Sequence, residues 1–215
     1  MGEMIGSLNK DVLLQDTPDH ITLDEFNRLK AALNNRYENL QRKSLRNRFI
    51  MERDEMLLNL LWVTGARVTD VLNIKSGDVD THNQIIHIYV KKRKNKRYPI
   101  SIDSDVSLMI VNYLNRWNLS GYLIPNVNDP SKPLDRKSVD HKLKILCDYT
   151  GLRKIHAHEF RHGLAMYLLS QGVPMEVISW RLKHSSTKTT MGIYARITPD
   201  IERNLIKDHI SSYLG

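Results

Sequence analysis

The segment that decides how this chain folds is HAHEFRHGLAMYLLSQGVPMEVISWRLKHSSTKTTMGIYAR, residues 156–196. Apolar residues recur in it at helical spacing, at Phe160, Leu164 and Leu168. This periodicity predicts a helix with one face in the core. Gly172 and Pro174 then predict a helix end and a new helix start, because Gly suits the residue after a helix and Pro suits its first turn. The segment should fold as helix, tight turn and helix.

The same segment concentrates side chains that can bind a phosphate or move a proton. His158 and Arg161 are three positions apart, which places them side by side on a helix. His184 and Tyr194 follow the second predicted helix. A lone tyrosine is more often a core or interface residue, so the interest of Tyr194 comes from its neighbours.

A second region of interest lies upstream, where apolar residues between positions 52 and 63 predict a buried helix ending at Gly65. Arg67 sits at the turn just after this break, and a short helix follows. An arginine in this place could equally form a structural ion pair with Asp70, three residues further on.

Residues 86–90 alternate between apolar and polar side chains, which predicts a half-buried strand. The sequence RYPISI, residues 97–102, supplies a return strand, and a further short strand is possible near residues 78–80. Between the two long strands, KKRKNKR (residues 91–97) has six basic residues in seven. A solvated tip or a nuclear-localisation patch would give the same run, but so charged a hairpin tip is well shaped to enter a DNA groove.

Further helices are predicted from capping residues that precede apolar periodicity. The first of these helices is expected to start at Thr22, with Glu25 completing a capping box. The others are expected to start at Ser104, at either Asp135 or Ser138, and at Thr198. The fold class is therefore α+β: a mainly helical domain with a small antiparallel three-stranded sheet.

Composition restricts the function further. The net charge of +8 and the pI near 9.5 favour a polyanionic partner. The single cysteine, Cys147, excludes an internal disulfide and a cysteine-based metal cluster. Apolar runs are far shorter than a membrane span, and the first twenty residues lack a signal-peptide core. We expect a cytoplasmic protein.

Five motifs in this order resemble the catalytic domain of tyrosine recombinases, the phage integrase family. They are TGARVTDVLNI, VKKRKNKRYPI, HEFRH, LKHSS and TTMGIYARI. The resemblance covers roughly residues 17 to 200 and implies the same fold. It implies six catalytic residues: Arg67, Lys91, His158, Arg161, His184 and Tyr194. One departure is Lys183, where the family usually has glycine before the histidine.

The resemblance also implies a role for each catalytic side chain, with no metal or cofactor. The two arginines would bind the phosphate, whose geometry their guanidinium groups match. Tyr194 would be the nucleophile, and Lys91 would protonate the departing 5′-oxygen. If the hairpin is one residue shorter, Lys92 would take the place of Lys91. His158 would act as base or acid toward the tyrosine, and His184 would donate a hydrogen bond to the phosphate.

Basic side chains outside this set are candidate DNA contacts. They are Lys92, Arg93, Lys94, Lys96 and Arg97 in the hairpin, and Arg42 and Lys43 in the segment QRKSLRNR. The expected partner is double-stranded DNA, bound by a homotetramer on paired sites that is mostly monomeric off DNA, in association with the nucleoid. The assembly would use a terminal helix, residues 200–214, whose apolar stripe could equally pack on its own domain. Residues 1–16 are expected to be a linker or the stub of an absent N-terminal core-binding domain, and residues 17–215 the catalytic domain.

Other functions fit parts of the sequence. HEFRH also matches the zinc-protease motif H-E-x-x-H, with His158 and His162 as ligands and Glu159 as base. Against a zinc hydrolase, the extended motif fails at Ala165 and Leu168. A type IB topoisomerase uses related chemistry to relax DNA, and a catalytically silent DNA-binding module would use the same basic hairpin.

Overall fold

The computed structural model describes residues 20–90 and 96–182, together with residues 203 and 206. Its helices with described bounds are α1 (Leu23–Glu38), α2 (Leu45–Thr64), α3 (Val68–Leu72), α4 (Ser104–Trp117), α5 (Arg136–Thr150), α6 (Glu159–Ser170) and α7 (Met175–Leu182). The strands are β1 (Val79–Asp80), β2 (Ile85–Val90) and β3 (Lys96–Ser101), and a 3₁₀ turn, Ser76–Asp78, precedes β1. The predicted α+β class, mainly helical with a three-stranded antiparallel sheet, is confirmed.

Helix α1 begins at the predicted capping box. The Thr22 hydroxyl accepts a hydrogen bond from the Glu25 amide at 3.2 Å, and the Glu25 carboxylate accepts one from the Thr22 amide at 2.9 Å. Each of the two side chains thus accepts a hydrogen bond from a backbone amide that has no acceptor within the helix. The helix is fixed to the core by Phe26 and Leu29, which are fully buried.

Helix α2 is the central element of the core. Every residue from Met56 to Thr64 is buried, so this half of the helix is covered on all sides. The helix begins at Leu45, earlier than its apolar periodicity predicts, because Ser44 caps it by accepting from the Asn47 amide at 3.1 Å. It ends at Gly65, as predicted, in the left-handed conformation with φ 56°.

The sheet has the order β1-β2-β3 with antiparallel pairing throughout. Ile86 pairs with Ile100, and Ile88 pairs with Tyr98. The short strand expected near residues 78–80 is β1, so that prediction is confirmed. The hairpin tip, residues 91–95, lies outside the described residues.

Two predicted helix starts, those of α4 and α7, shift by one residue, and for α5 one of the two predicted starts is correct. Helix α4 is capped by Asp103 and not by Ser104, because the Asp103 carboxylate accepts from the Val106 amide at 2.9 Å. Asp135, and not Ser138, caps α5. Pro174 immediately precedes α7 instead of occupying its first position.

The described part of the terminal segment packs on its own domain. Ile206 is 2% exposed and belongs to the core, and Arg203 donates a hydrogen bond to the carbonyl oxygen of Asn83. Both residues are helical, as the sequence predicts. None of the helices within the described residues is long and apolar enough to cross a membrane.

Helix α6 approaches the chain segment before α1 unusually closely at Gly163. A Cβ atom built on Gly163 would lie 2.3 Å from the carbonyl oxygen of Ile21 and 3.2 Å from the indole ring of Trp62. The first distance is to backbone, which cannot rotate away. Glycine is therefore required here by space, although it weakens a helix interior.

Replacing Gly163 by alanine tests this close approach. Alanine favours a helix over glycine by about 1 kcal/mol, so Gly163→Ala would stabilise the protein if space were available. We expect overpacking to prevail at about 1–3 kcal/mol, lowering the melting temperature by roughly 2–10 °C in thermal unfolding. Gly77→Ala and Gly121→Ala are matched controls, because a Cβ at either position meets nothing within 4 Å. A Gly163→Ala variant as stable as these controls would show that the contact is not tight.

Candidate active site

The turn after α2 places Arg67 at the site. Gly65 allows this turn for two reasons: its φ of 56° disfavours other residues, and a Cβ there would lie 2.5 Å from Leu182 and 2.9 Å from Leu164. Arg67 follows in extended conformation as the residue before α3, and its side chain is partly exposed. The predicted location of Arg67 just after the helix break is confirmed.

Arg161 on α6 is fixed by two backbone carbonyl groups. Its Nη1 atom donates to the carbonyl oxygen of Gly65 at 2.7 Å, and its Nη2 atom donates to the carbonyl oxygen of Leu182. One guanidinium group thus joins the end of α2, the first turn of α6 and the end of α7. Its orientation is set by structure that is present before any ligand binds.

Arg67 and Arg161 line one small pocket. The other residues that line it are Ala66, Asp70, Ile88, Tyr98, Ile100, Arg181 and Leu182. Burial lowers the pKa of Arg161 to about 10, the positive charge of Arg67 acts in the same direction, and Asp70 opposes them. Arg161 therefore remains protonated at neutral pH, but in an environment that an added negative charge would improve.

His158 is exposed, three residues before Arg161, and is not among the residues that line this pocket. It is the residue immediately before α6 and not within the helix, which differs from the predicted placement on a helical face. Its ring stacks on His156 with a centroid separation of 5.8 Å and meets His162 edge-on at 6.1 Å. The three imidazoles form an open row, accessible to a large ligand.

Glu159 is turned into the protein, which counts against the zinc-hydrolase interpretation. Its carboxylate accepts from the His156 amide at 2.8 Å and forms an ion pair with Arg153, which also binds Glu25 at 2.9 Å. Glu159 is 5% exposed and serves as an anchor, so it has no free access to a metal-bound water. Among the described residues, no cluster of three potential ligands could hold a metal ion.

Arg181 on α7 is a residue of this pocket that was not predicted from the sequence. This side chain is 1% exposed and binds the carbonyl oxygens of Val63 and Ser101. A signal was available: Arg181 is four residues after Val177 and three after Ile178, so it falls on the apolar face of its own helix. An arginine on that face indicates a buried guanidinium with specific partners.

The remaining predicted residues are only partly covered by the described structure. Outside it lie Lys91, Lys92, Arg93, Lys94, His184 and Tyr194. Lys96 and Arg97 are exposed at the start of β3, over the rings of Tyr98 and Tyr89 at 5.6 and 6.0 Å.

The two basic candidates before α2 are also at the surface. Arg42 and Lys43 are exposed in the loop between α1 and α2. Lys43 forms an ion pair with Glu38, which reduces the positive charge that it offers to a phosphate.

Sequence comparisons identify the relatives of this chain. The model of the phage integrase family matches residues 20–200. A probable integrase/recombinase protein of Methanocaldococcus jannaschii is 35% identical over 152 residues, which is 66% of this chain and 45% of that protein. Tyrosine recombinase XerC of Staphylococcus aureus is 31% identical over 152 residues, 68% of this chain and 49% of the relative. The chain thus spans less than half the length of these two relatives.

Solved structures share the fold. The crystal structure of XerA recombinase superposes with a TM-score of 0.63 at 23% identity, covering 89% of this chain and 65% of that one. The XerH site-specific recombinase bound to its difH substrate gives a TM-score of 0.62 at 20% identity, covering 90% and 53%. At these identities the likeness concerns the fold alone. The family match, which extends over most of the sequence, shows that the chain belongs to the phage integrase family.

Proposed function

We propose that this chain is the catalytic part of a site-specific tyrosine recombinase, which cleaves and rejoins DNA strands through a 3′-phosphotyrosyl intermediate. The observation that carries the proposal is the pocket shared by Arg67 and Arg161. Two guanidinium groups from distant parts of the chain converge there. Exposed His158, three residues before Arg161 in the chain, is one of three imidazoles in contact with one another. Membership of the phage integrase family supports the same activity.

The arginine pair suits the charge that develops during phosphoryl transfer. Attack on a phosphodiester adds negative charge to its nonbridging oxygens, and fixed positive donors stabilise that charge. Arg161 is held by Gly65 and Leu182, so little reorganisation is needed when the phosphate binds. Each donor contributes about 3–4 kcal/mol to the barrier reduction, as oxyanion-type donors do.

The bond changes involve three further side chains. The Tyr194 phenol attacks the phosphorus atom, loses its proton to His158, and displaces the 5′-oxygen of the next nucleotide. Lys91 gives that oxygen a proton, and His184 donates a hydrogen bond to the phosphate. Attack by a 5′-hydroxyl group then reverses these steps and releases the tyrosine. No metal or other cofactor enters this scheme.

The alternatives have weaker support. A zinc hydrolase would need the Glu159 carboxylate as its base, but that carboxylate forms an ion pair with Arg153. A type IB topoisomerase would use the same residues but would relax DNA without exchanging strands between partners. We favour recombination because the similar proteins include a probable integrase/recombinase and tyrosine recombinase XerC.

The proposed partner is double-stranded DNA, bound as a homotetramer on paired sites by subunits that are mostly monomeric off DNA. The net charge of +8 and exposed cations such as Lys96 and Arg97 support DNA binding. XerH is an example of a recombinase bound to its DNA substrate. In this scheme residues 17–215 form the catalytic domain, residues 1–16 are a linker or stub, and the protein works in the cytoplasm at the nucleoid.

The nucleophile assignment is tested with Tyr194→Phe. The change removes the attacking oxygen but no phosphate contact, so we expect covalent protein–DNA adducts to disappear while DNA affinity stays the same. Adducts are measured on denaturing gels after incubation with a suicide substrate carrying a nick beside the cleavage site. Tyr167→Phe and Tyr149→Phe are matched controls that should still form adducts. Adducts with Tyr194→Phe would show that another residue attacks the DNA.

The proposed tetramer is tested with changes to the C-terminal segment. Ile206 is part of the core, so we leave it in place and delete residues 207–215, or replace Ile210 by Glu. We expect both variants to bind a single site normally but to lose the tetramer on paired sites, measured by sedimentation with labelled DNA. Wild-type tetramer formation by both variants would show that this segment serves only its own domain.

A further inference from the structure

Arg181 is a buried arginine that the proposed reaction does not use directly. Its Nη2 atom donates to the carbonyl oxygen of Val63 at 2.6 Å, and its Nε atom approaches the same oxygen at 3.2 Å. Both Nη1 and Nη2 donate to the carbonyl oxygen of Ser101 at 3.2 Å. The planar guanidinium group thus joins the ends of α2 and β3 to α7.

Burying an arginine in this place has both a cost and a gain in stability. Withdrawing a guanidinium group from water is costly, and the hydrogen bonds to the carbonyl oxygens of Val63 and Ser101 offset that cost. The rest of the buried face of α7 is apolar, formed by Val177, Ile178 and Leu182. An unbranched apolar residue such as methionine would therefore suit position 181 as far as packing is concerned.

Arg181 joins the segments whose carbonyl groups hold Arg161. Val63 lies two residues before Gly65, whose carbonyl oxygen holds Arg161. The neighbour of Arg181, Leu182, supplies the other carbonyl oxygen that holds Arg161. Arg181 also lines the same pocket as Arg67 and Arg161. Fixing the end of α2 against α7 therefore fixes both attachment points of the Arg161 guanidinium group.

We propose that Arg181 is a positioning residue for phosphoryl transfer, acting through Arg67 and Arg161. The proposal rests on the recombinase activity proposed above. By clamping the end of α2 and α7 onto the end of β3, Arg181 keeps the two guanidinium groups converged on one phosphate. Without the clamp, the turn that bears Arg67 and the carbonyl groups that orient Arg161 can shift separately. Positioning errors of this kind slow a reaction by up to about 10²-fold while the ligand still binds.

Chemically altered DNA separates positioning from general destabilisation. A methylphosphonate at the scissile position replaces one charged nonbridging oxygen by a methyl group, so the transition state depends less on the arginine pair. A 5′-bridging phosphorothioate leaves without a proton, so it relieves only a defect in the acid, assigned to Lys91. If Arg181 acts through the arginines, the methylphosphonate should reduce the cleavage defect of an Arg181 variant, and the phosphorothioate should not.

The experiment compares single-turnover cleavage of the three substrates by Arg181→Met and Arg181→Lys. Lysine keeps the charge but loses the planar fork that reaches two carbonyl groups. Arg53→Met is the matched control, because Arg53 is an equally buried arginine of α2 that binds the Pro125 carbonyl and Asp54, away from the pocket. Lys91→Ala is the control for phosphorothioate rescue. Melting temperatures and single-site DNA affinity are measured for every variant, and cleavage is followed well below each melting point.

We expect both Arg181 variants to bind DNA normally and to cleave the natural phosphodiester about 10- to 100-fold more slowly than the wild type. The deficit should shrink on the methylphosphonate and persist on the phosphorothioate, whereas Arg53→Met should show no substrate-dependent deficit. Equal deficits on all three substrates, rescue by phosphorothioate, wild-type cleavage, or failure of both variants to fold would overturn the proposal. Absence of cleavage by the wild type would instead overturn the recombinase activity itself.

Discussion

The structure depends on one interaction, the binding of the Arg161 guanidinium group by the carbonyl oxygens of Gly65 and Leu182. These oxygens belong to the ends of two helices, α2 and α7, where backbone acceptors have no partner within the helix. Arg161 satisfies both and in doing so fixes its own direction. The same contact that completes the packing of three helices therefore prepares a cation for a ligand.

The arrangement concentrates positive charge at a cost that a phosphate can offset. Burial and the nearby charge of Arg67 both disfavour the protonated form of Arg161, and Asp70 compensates in part. A phosphodiester placed between the two arginines would supply the missing negative charge in a partly desolvated pocket, where such attraction is strongest. The burial of Arg161 and its closeness to Arg67 thus favour an anionic ligand.

Sequence signals of short range predicted most of the fold. The Thr22–Glu25 capping box, Gly65 and the alternation in β2 act through neighbours a few residues away, so their patterns are visible in the sequence. The convergence of Arg67 with Arg161 was expected only from resemblance. Arg153 and Arg181 were not found as structural clamps, because their partners are carboxylate or carbonyl groups distant in the chain. The place of Arg181 on the apolar face of α7 indicates that it is buried, but its partners follow from tertiary packing, which no local pattern encodes.

The central claim is that Arg67 and Arg161 act together on one phosphate, and a double-mutant cycle tests it most directly. Single-turnover cleavage is measured for Arg67→Ala, Arg161→Ala and the double variant. We predict that each single change slows cleavage by about 10²- to 10³-fold. The double variant should lose less than the product of the two factors, because residues that act as a unit are not additive. Losses that multiply, or wild-type cleavage by either single variant, would contradict a shared phosphate site.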